Sequence, residues 1–118
     1  MPNLSTPTAA WTLLFIAGLL EIVWSTSMKA SDGFSRHVYT GITLAAAWLS
    51  FWLLGLAMKS LPLGTAYAVW TGIGAVGTAL FGILVLKEPA TAARLVCLCL
   101  IVAGILGLKL FSPPGAPG

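Results

Sequence analysis

The sequence is poor in charged residues, and acidic residues are the scarcest of them. Asp and Glu number 3 and Lys and Arg number 6 among 118 residues, so only 8% of the chain is charged. Soluble domains carry about a quarter charged residues. Since 58% of this sequence is also hydrophobic, its composition excludes an ordinary soluble domain and indicates a membrane protein.

Metal ligands and long connections are also scarce. Cys97 and Cys99 lie two residues apart and would point to nearly opposite faces of one helix, so we interpret them as apolar filling. His37, which follows Arg36, is expected at a helix start. We therefore expect no metal site and no cofactor. Connections of no more than about ten residues leave no room for a soluble catalytic or nucleotide-binding domain, so we expect neither an enzyme nor a nucleic-acid partner.

Four apolar runs occupy residues 11–28, 38–58, 63–86 and 95–108. Because about 20 apolar residues span the hydrocarbon core as a helix, we predict an all-α membrane protein. It forms one domain of four transmembrane helices in the lipid bilayer, over about 9–29, 36–58, 62–86 and 91–111, with a disordered tail at 112–118. A signal peptide is the alternative for the first run, but this run lacks a basic leader and contains Glu21.

The basic residues favour one orientation only weakly. Four of them flank the first and third connections, and two lie on the other side with both termini: Lys29, Arg36, Lys87 and Arg94 against Lys59 and Lys109. The chain either has one fixed orientation, with the four-charge side cytoplasmic, or inserts both ways. Four helices can hardly enclose an aqueous path, so we expect self-association. An antiparallel homodimer would form an inverted repeat from two chains.

Glu21 lies in the middle of the first apolar run, on one helix face with Gly18, Trp24 and Ser25. An ionised carboxylate in lipid costs several kcal/mol, so this face should line a protein interior or a wet cavity. There a proton and a cation would compete for one carboxylate, which is the minimum chemistry of an antiporter. The alternative is a protonated Glu that is merely hydrogen-bonded to a neighbouring helix.

The third helix supplies aromatic and polar residues that align on one face: Tyr67, Trp70, Thr71 and Gly74. Tyr and Trp donate hydrogen bonds that can hold a carboxylate, and their rings attract cations. The second helix adds Ser50, whose hydroxyl could equally bond the carbonyl of Ala46 in its own helix.

Small residues are concentrated in the third and fourth helices. Gly72, Gly74 and Gly77 permit either close helix packing or a bend, and their density favours a bend. Gly104 and Gly107 of the fourth helix provide a small surface suited to dimer packing.

Several of these segments together resemble the small multidrug resistance family. They are the Glu in the first helix, the turn K-A-S-D-G-F at 29–34 and the segment L-P-L-G-T-A-Y-A-V-W-T-G-I-G-A-V-G at 61–77. The resemblance covers about residues 9–110. The pattern E-I-V-W at 21–24 and K-E-P at 87–89 resemble the guanidinium-exporter subtype. The quaternary-ammonium subtype usually has a small residue in place of Trp24.

The resemblance implies an antiparallel homodimer in the bacterial inner (plasma) membrane that exports a guanidinium-type cation in exchange for protons. It also implies that Glu21 binds proton and substrate alternately, within a hydrogen-bonded network of Trp24, Ser50, Tyr67 and Trp70. Two alternatives stay open. One is a broad quaternary-ammonium exporter on the same scaffold, and the other is a small membrane subunit that transports nothing by itself.

Overall fold

The structure, a computed structural model, describes residues 7–111 and contains four α-helices in this range: α1 (Pro7–Ala30), α2 (His37–Ala57), α3 (Leu63–Leu84) and α4 (Ala92–Phe111). Each is long and apolar enough to cross a membrane. Helices of 20 to 24 residues measure roughly 30–36 Å, which matches a hydrocarbon core of about 30 Å. The prediction of an all-α protein with four transmembrane helices is confirmed, and the chain is a multi-pass membrane protein. The predicted tail at 112–118 lies outside the described residues.

Helix α1 is the centre of the described fold. It packs against α2 and α3, whereas α4 packs only against α3 among these helices. The hydrophobic core cluster is formed by side chains of α1, α2, α3 and the connection before α3: Ala10, Leu14, Ala17, Leu54, Ala57, Leu61, Ala66, Val69 and Trp70. Helix α4 contributes no buried residue to this core. The chain is therefore a three-helix unit with a peripheral fourth helix.

Small residues bring α1 and α3 close together. A Cβ atom added to Gly18 would lie 2.6 Å from Cγ2 of Ile73, and one added to Gly77 would overlap the side chain of Ile22. Within a bilayer, helices associate through such packing and through hydrogen bonds rather than through the hydrophobic effect. The hydroxyls of Ser25 and Thr78 add a 2.7 Å hydrogen bond across the same interface.

The connection between α1 and α2 turns sharply through three consecutive residues in the left-handed region, Asp32, Gly33 and Phe34, with φ of 50°, 70° and 66°. Ser31 holds this turn in place. Its fully buried hydroxyl donates to the carbonyl of Met28 at 2.6 Å and accepts from the backbone N–H of Phe34 at 3.0 Å. The turn that marked the family in the sequence is therefore a compact link between two spans.

The Lys-Glu-Pro segment joins the ends of α3 and α4. Lys87 adopts a φ of 60°, and the N–H of Glu88 donates to the carbonyl of Gly82 at 3.0 Å. The carboxylate of Glu88 accepts from Arg94 at 2.8 Å and fills the space where Gly82 would carry a side chain. Because the chain turns here, α3 ends at Leu84, two residues before the predicted end. In this chain the segment has a structural role. We call the ion pair between Glu88 and Arg94 a clamp, because it ties the connection after α3 to the first turn of α4.

Candidate functional site

Ser50 connects three helices at one buried point. Its hydroxyl, which is fully buried, donates to the carbonyl of Ala17 on α1 at 2.7 Å. The same oxygen accepts a hydrogen bond of 2.9 Å from the indole Nε1–H of Trp70 on α3. The sequence left open a bond to the carbonyl of Ala46 within α2. The structure shows instead that Ser50 fixes the position of the Trp70 ring relative to α1.

Four aromatic rings form a continuous wall beside this junction. The ring of Phe51 lies 6.2 Å from that of Trp24 and 5.7 Å from that of Trp70, and Trp70 lies 5.6 Å from Tyr67. These tilted and edge-on geometries are favourable for aromatic pairs. The Tyr67 side is open, since this residue is 54% exposed. The wall thus has one buried ring, Trp70, a partly buried end at Trp24 and an accessible end at Tyr67.

Phe51 is the one ring of the wall that is absent from the predicted site. It follows Ser50 directly and lies among other apolar residues of α2. For an aromatic residue in a membrane helix, the neighbouring sequence does not distinguish a position that faces lipid from one that faces a binding site. Only its packing between Trp24 and Trp70 shows where it points.

The carboxyl group of Glu21 lies against the backbone of α3 at Gly74. Any Cβ at position 74 would overlap this carboxyl group, so only glycine leaves space for it. Oε1 of Glu21 and Nε1 of Trp24 are buried side-chain atoms that have no hydrogen-bond partner among residues 7–111. Buried polar atoms without partners are costly, and more so where no water is near. Of the predicted network, the structure contains the hydrogen bond between Ser50 and Trp70, whereas no residue within 7–111 bonds Oε1 of Glu21.

The remaining predicted residues of α1 and α3 have different surroundings. Ser25 bonds Thr78 one turn beyond Glu21, while Gly18 packs against Ile73. Gly72 faces Ile105 of α4.

Three other predicted residues do not join this group. Thr71 is exposed. Gly104 and Gly107 of α4 would accept a Cβ without meeting any atom within 4 Å, apart from their own helix and chain neighbours. The structure thus brings the aromatic residues of α1, α2 and α3 together, places the Glu21 carboxyl group against α3 and leaves the small surface of α4 uncovered.

The site has the electrostatic character of a cation site. Of the three acidic residues, Asp32 lies in the first connection and Glu88 in the third, so Glu21 is the one acid within the described helices. The neighbouring rings present π-faces, which attract cations.

Replacing Ser50 with Ala should destabilise the protein, because the buried Nε1–H of Trp70 loses its acceptor. We expect the loss of an acceptor from a buried donor to cost about 1–3 kcal/mol. The measurement is thermal unfolding in detergent, followed by tryptophan fluorescence. Thr40→Ala is the matched control, since the Thr40 hydroxyl bonds only the Arg36 carbonyl one turn away. Equal unfolding temperatures for the two variants would contradict the bridging role of Ser50.

Comparison with known proteins places the sequence among membrane exporters. Residues 9–101 match the profile of the family described as Small Multidrug Resistance protein. A protein of Yersinia pseudotuberculosis named guanidinium exporter is 61% identical over 103 residues, which cover 87% of this chain and 99% of that protein. Proteins of the same name from Proteus vulgaris and Salmonella typhimurium are 56% and 59% identical, over 87% and 86% of this chain and 99% and 96% of their own lengths.

The family match covers most of α1, all of α2 and α3 and the first half of α4, and this range contains Glu21 and the four residues of the aromatic wall. The matches confirm the family and subtype that the motifs indicated, and the relatives are named as exporters rather than as enzymes. The chain belongs to the small multidrug resistance family.

Proposed function

We propose that this protein exports guanidinium or a small guanidinyl cation, such as guanylurea or a biguanide-like compound, in exchange for protons across the bacterial inner (plasma) membrane. The observation that carries the proposal is the Glu21 carboxyl group. It lies within the membrane spans against Gly74, and its Oε1 is buried without a hydrogen-bond partner among residues 7–111. A carboxyl group held in the membrane interior is stable when it is protonated or when a cation neutralises it, and either can take the place of the other.

Guanidinium suits this environment for two physical reasons. Its planar, fork-like N–H donors match the two oxygens of a carboxylate, and its flat faces stack on aromatic rings. The wall from Trp24 to Tyr67 supplies such rings, and it begins with Trp24, about one turn beyond Glu21 on α1. The names of the relatives support the same class of substrate.

An antiparallel homodimer would complete the site. One chain leaves Oε1 of Glu21 and Nε1 of Trp24 without partners among the described residues, and a second chain would bring a second carboxylate and a second indole. Helix α4 has no buried residue, and its Gly104 and Gly107 offer the close approach that helix packing in membranes uses. Two oppositely oriented copies would form an inverted repeat, whose alternating access exchanges the conformations of the two chains.

Bending of α3 would allow each chain to change between the two conformations that alternating access requires. Gly72 contacts α4, Gly74 contacts Glu21 and Gly77 contacts α1, so a bend in this segment would move all three contacts. The same glycines also serve close packing. In this proposal Glu21 releases its proton when it binds the cation, and the reverse exchange on the other side resets the site.

Glu21→Gln should abolish proton-coupled transport, because Gln cannot release a proton or neutralise a cation. The measurement is guanidinium-driven proton movement in liposomes containing the purified protein. The variant should not exceed protein-free liposomes. Asp32→Asn is the control, since Asp32 is an exposed turn residue and Asn also tolerates a positive φ. Guanidinium-driven proton movement by Glu21→Gln would refute the proposal, and inactivity of the unmodified protein would favour a non-transporting subunit.

Reporters fused to the C-terminus should detect both orientations in the membrane. The expected result is comparable signal from a cytoplasmic reporter and from a periplasmic reporter. Because the bias in basic residues is small, adding two Lys residues to one connection should shift the ratio strongly. Signal from a single orientation would exclude the antiparallel homodimer.

Trp24→Gly should reduce the preference for guanidinium over tetraalkylammonium. The Trp24 ring, which contacts Phe51, would make the site narrower. A planar cation would then fit better than a bulky one. We expect the ratio of transport efficiencies to fall about tenfold, equivalent to about 1.4 kcal/mol. The control is Trp48→Gly, since Trp48 is exposed and stacks on Trp52 away from Glu21. An unchanged ratio would contradict this role, and tetraalkylammonium transport by the unmodified protein would favour the quaternary-ammonium alternative.

A further inference from the structure

An apolar groove runs along α1 on the side of α4. These two helices do not pack against each other in the described part of the chain, and α3 forms the floor between them. The groove has a volume of about 430 Å³. Its lining includes Phe15, Leu19 and Ile22 of α1, Val76 of α3 and Leu106 of α4. None of these five side chains can hydrogen-bond to a polar ligand, so this stretch suits an apolar occupant.

One end of the groove is polar. An adjoining cavity shares Trp11, Phe15 and Lys109 with the groove and adds the hydroxyl-bearing residues Thr8 and Thr12. Nζ of Lys109 lies 4.9 Å from the centroid of the Trp11 ring. Trp and Lys are typical of the membrane–water interface, where Lys extends its ammonium group toward the headgroups. The first turn of α1, whose positive dipole end favours anions, lies at the same end.

The dimensions of the groove fit one leaflet of the bilayer. The distance along α1 from Thr8 at the polar end to Ile22 is about 21 Å, at 1.5 Å per residue. Half of a hydrocarbon core about 30 Å thick is about 15 Å. The apolar part therefore accommodates one acyl chain whose headgroup stays at Lys109.

Phe15 and Val76 of the groove lie on the opposite faces of α1 and α3 from the aromatic residues of the site. Phe15 in the groove and Trp24 in the site are nine residues apart, which places them about 180° apart around a helix. Val76 in the groove and Tyr67 in the site have the same separation. A second chain that completes the Glu21 site would thus cover the other face and leave the groove toward lipid.

We propose that this groove binds an anionic phospholipid. The acyl chain lies between α1 and α4, and the phosphate binds at Lys109, Thr8 and Thr12. The ammonium group supplies the charge that distinguishes an anionic from a zwitterionic headgroup. Bound lipid would fill the gap beside a helix that otherwise packs only against α3, and it would do so whichever cation the protein transports.

The test measures lipid binding to the full chain, purified and delipidated in detergent. Palmitoyl-oleoyl phosphatidylglycerol and phosphatidylcholine are titrated separately and detected by native mass spectrometry. Lys109→Gln should weaken phosphatidylglycerol binding about fivefold and leave phosphatidylcholine binding unchanged. Lys59→Gln, which alters an exposed Lys outside the groove and its polar end, should change neither.

A second variant tests the apolar part of the site. Leu106→Trp fills the groove from α4, and because Leu106 is 55% exposed the larger side chain need not disturb the fold. It should weaken binding of both lipids. Equal effects of Lys109→Gln and Lys59→Gln would overturn the proposal. So would unchanged lipid binding by Leu106→Trp together with loss of self-association, since a second copy would then occupy the groove. Neither readout depends on transport.

Discussion

Hydrocarbon supplies no hydrogen bonds, and this constraint determines where each polar side chain of the protein can lie. Hydroxyl groups of the spans bond carbonyls of their own helix, as Thr26 does with Ile22, or they connect helices, as Ser50 and Ser25 do. Each connection fixes the relative position of two apolar helices that have little other reason to adopt one register. Glu21 and Trp24 are the exceptions, since each has a buried polar atom without a partner in the described chain. The described fold thus provides hydrogen-bond partners for the hydroxyl groups that connect helices. It leaves Glu21 and Trp24, which can bind a ligand, with polar atoms that lack such partners.

The close approach between α1 and α3 also has two roles, since it packs the helices together and makes room for the Glu21 carboxyl group. Gly18 and Gly77 receive apolar side chains from the facing helix, whereas Gly74 receives the Glu21 carboxyl group. A Cβ at any of these three positions would force the facing side chain to move. The spacing between the two helices is therefore set by packing, and the position of the carboxyl group follows from that spacing. A bend in α3 would alter both together, which would couple occupancy of the site to helix geometry.

Much of this arrangement could be predicted from the sequence, because its strongest signals are local. Apolar runs of membrane-spanning length predict helices, and Glu21 is conspicuous in a run without other charge. The faces of α1 and α3 follow from helical spacing. What could not be predicted is which helices those faces meet. The choice of Ser50 between Ala46 and Ala17, and the position of Phe51 between two indoles, depend on packing across chain separations of about thirty residues. The role of the glycines of α3 could not be predicted either. The sequence does not distinguish a glycine that lets a helix bend from one that lets a neighbouring helix approach closely.

Helix α4 is attached to the rest of the chain through α3, through the clamp between Glu88 and Arg94 and through the contact of Lys109 with Trp11, and it contains no buried residue. No described residue of α4 belongs to the aromatic wall or contacts the Glu21 carboxyl group. In the proposed homodimer, the surface for association on α4 and the Glu21 site therefore lie on different helices. Over evolutionary time a duplicated gene could acquire a new pairing preference through α4 alone, while both copies kept the same chemistry at the carboxylate.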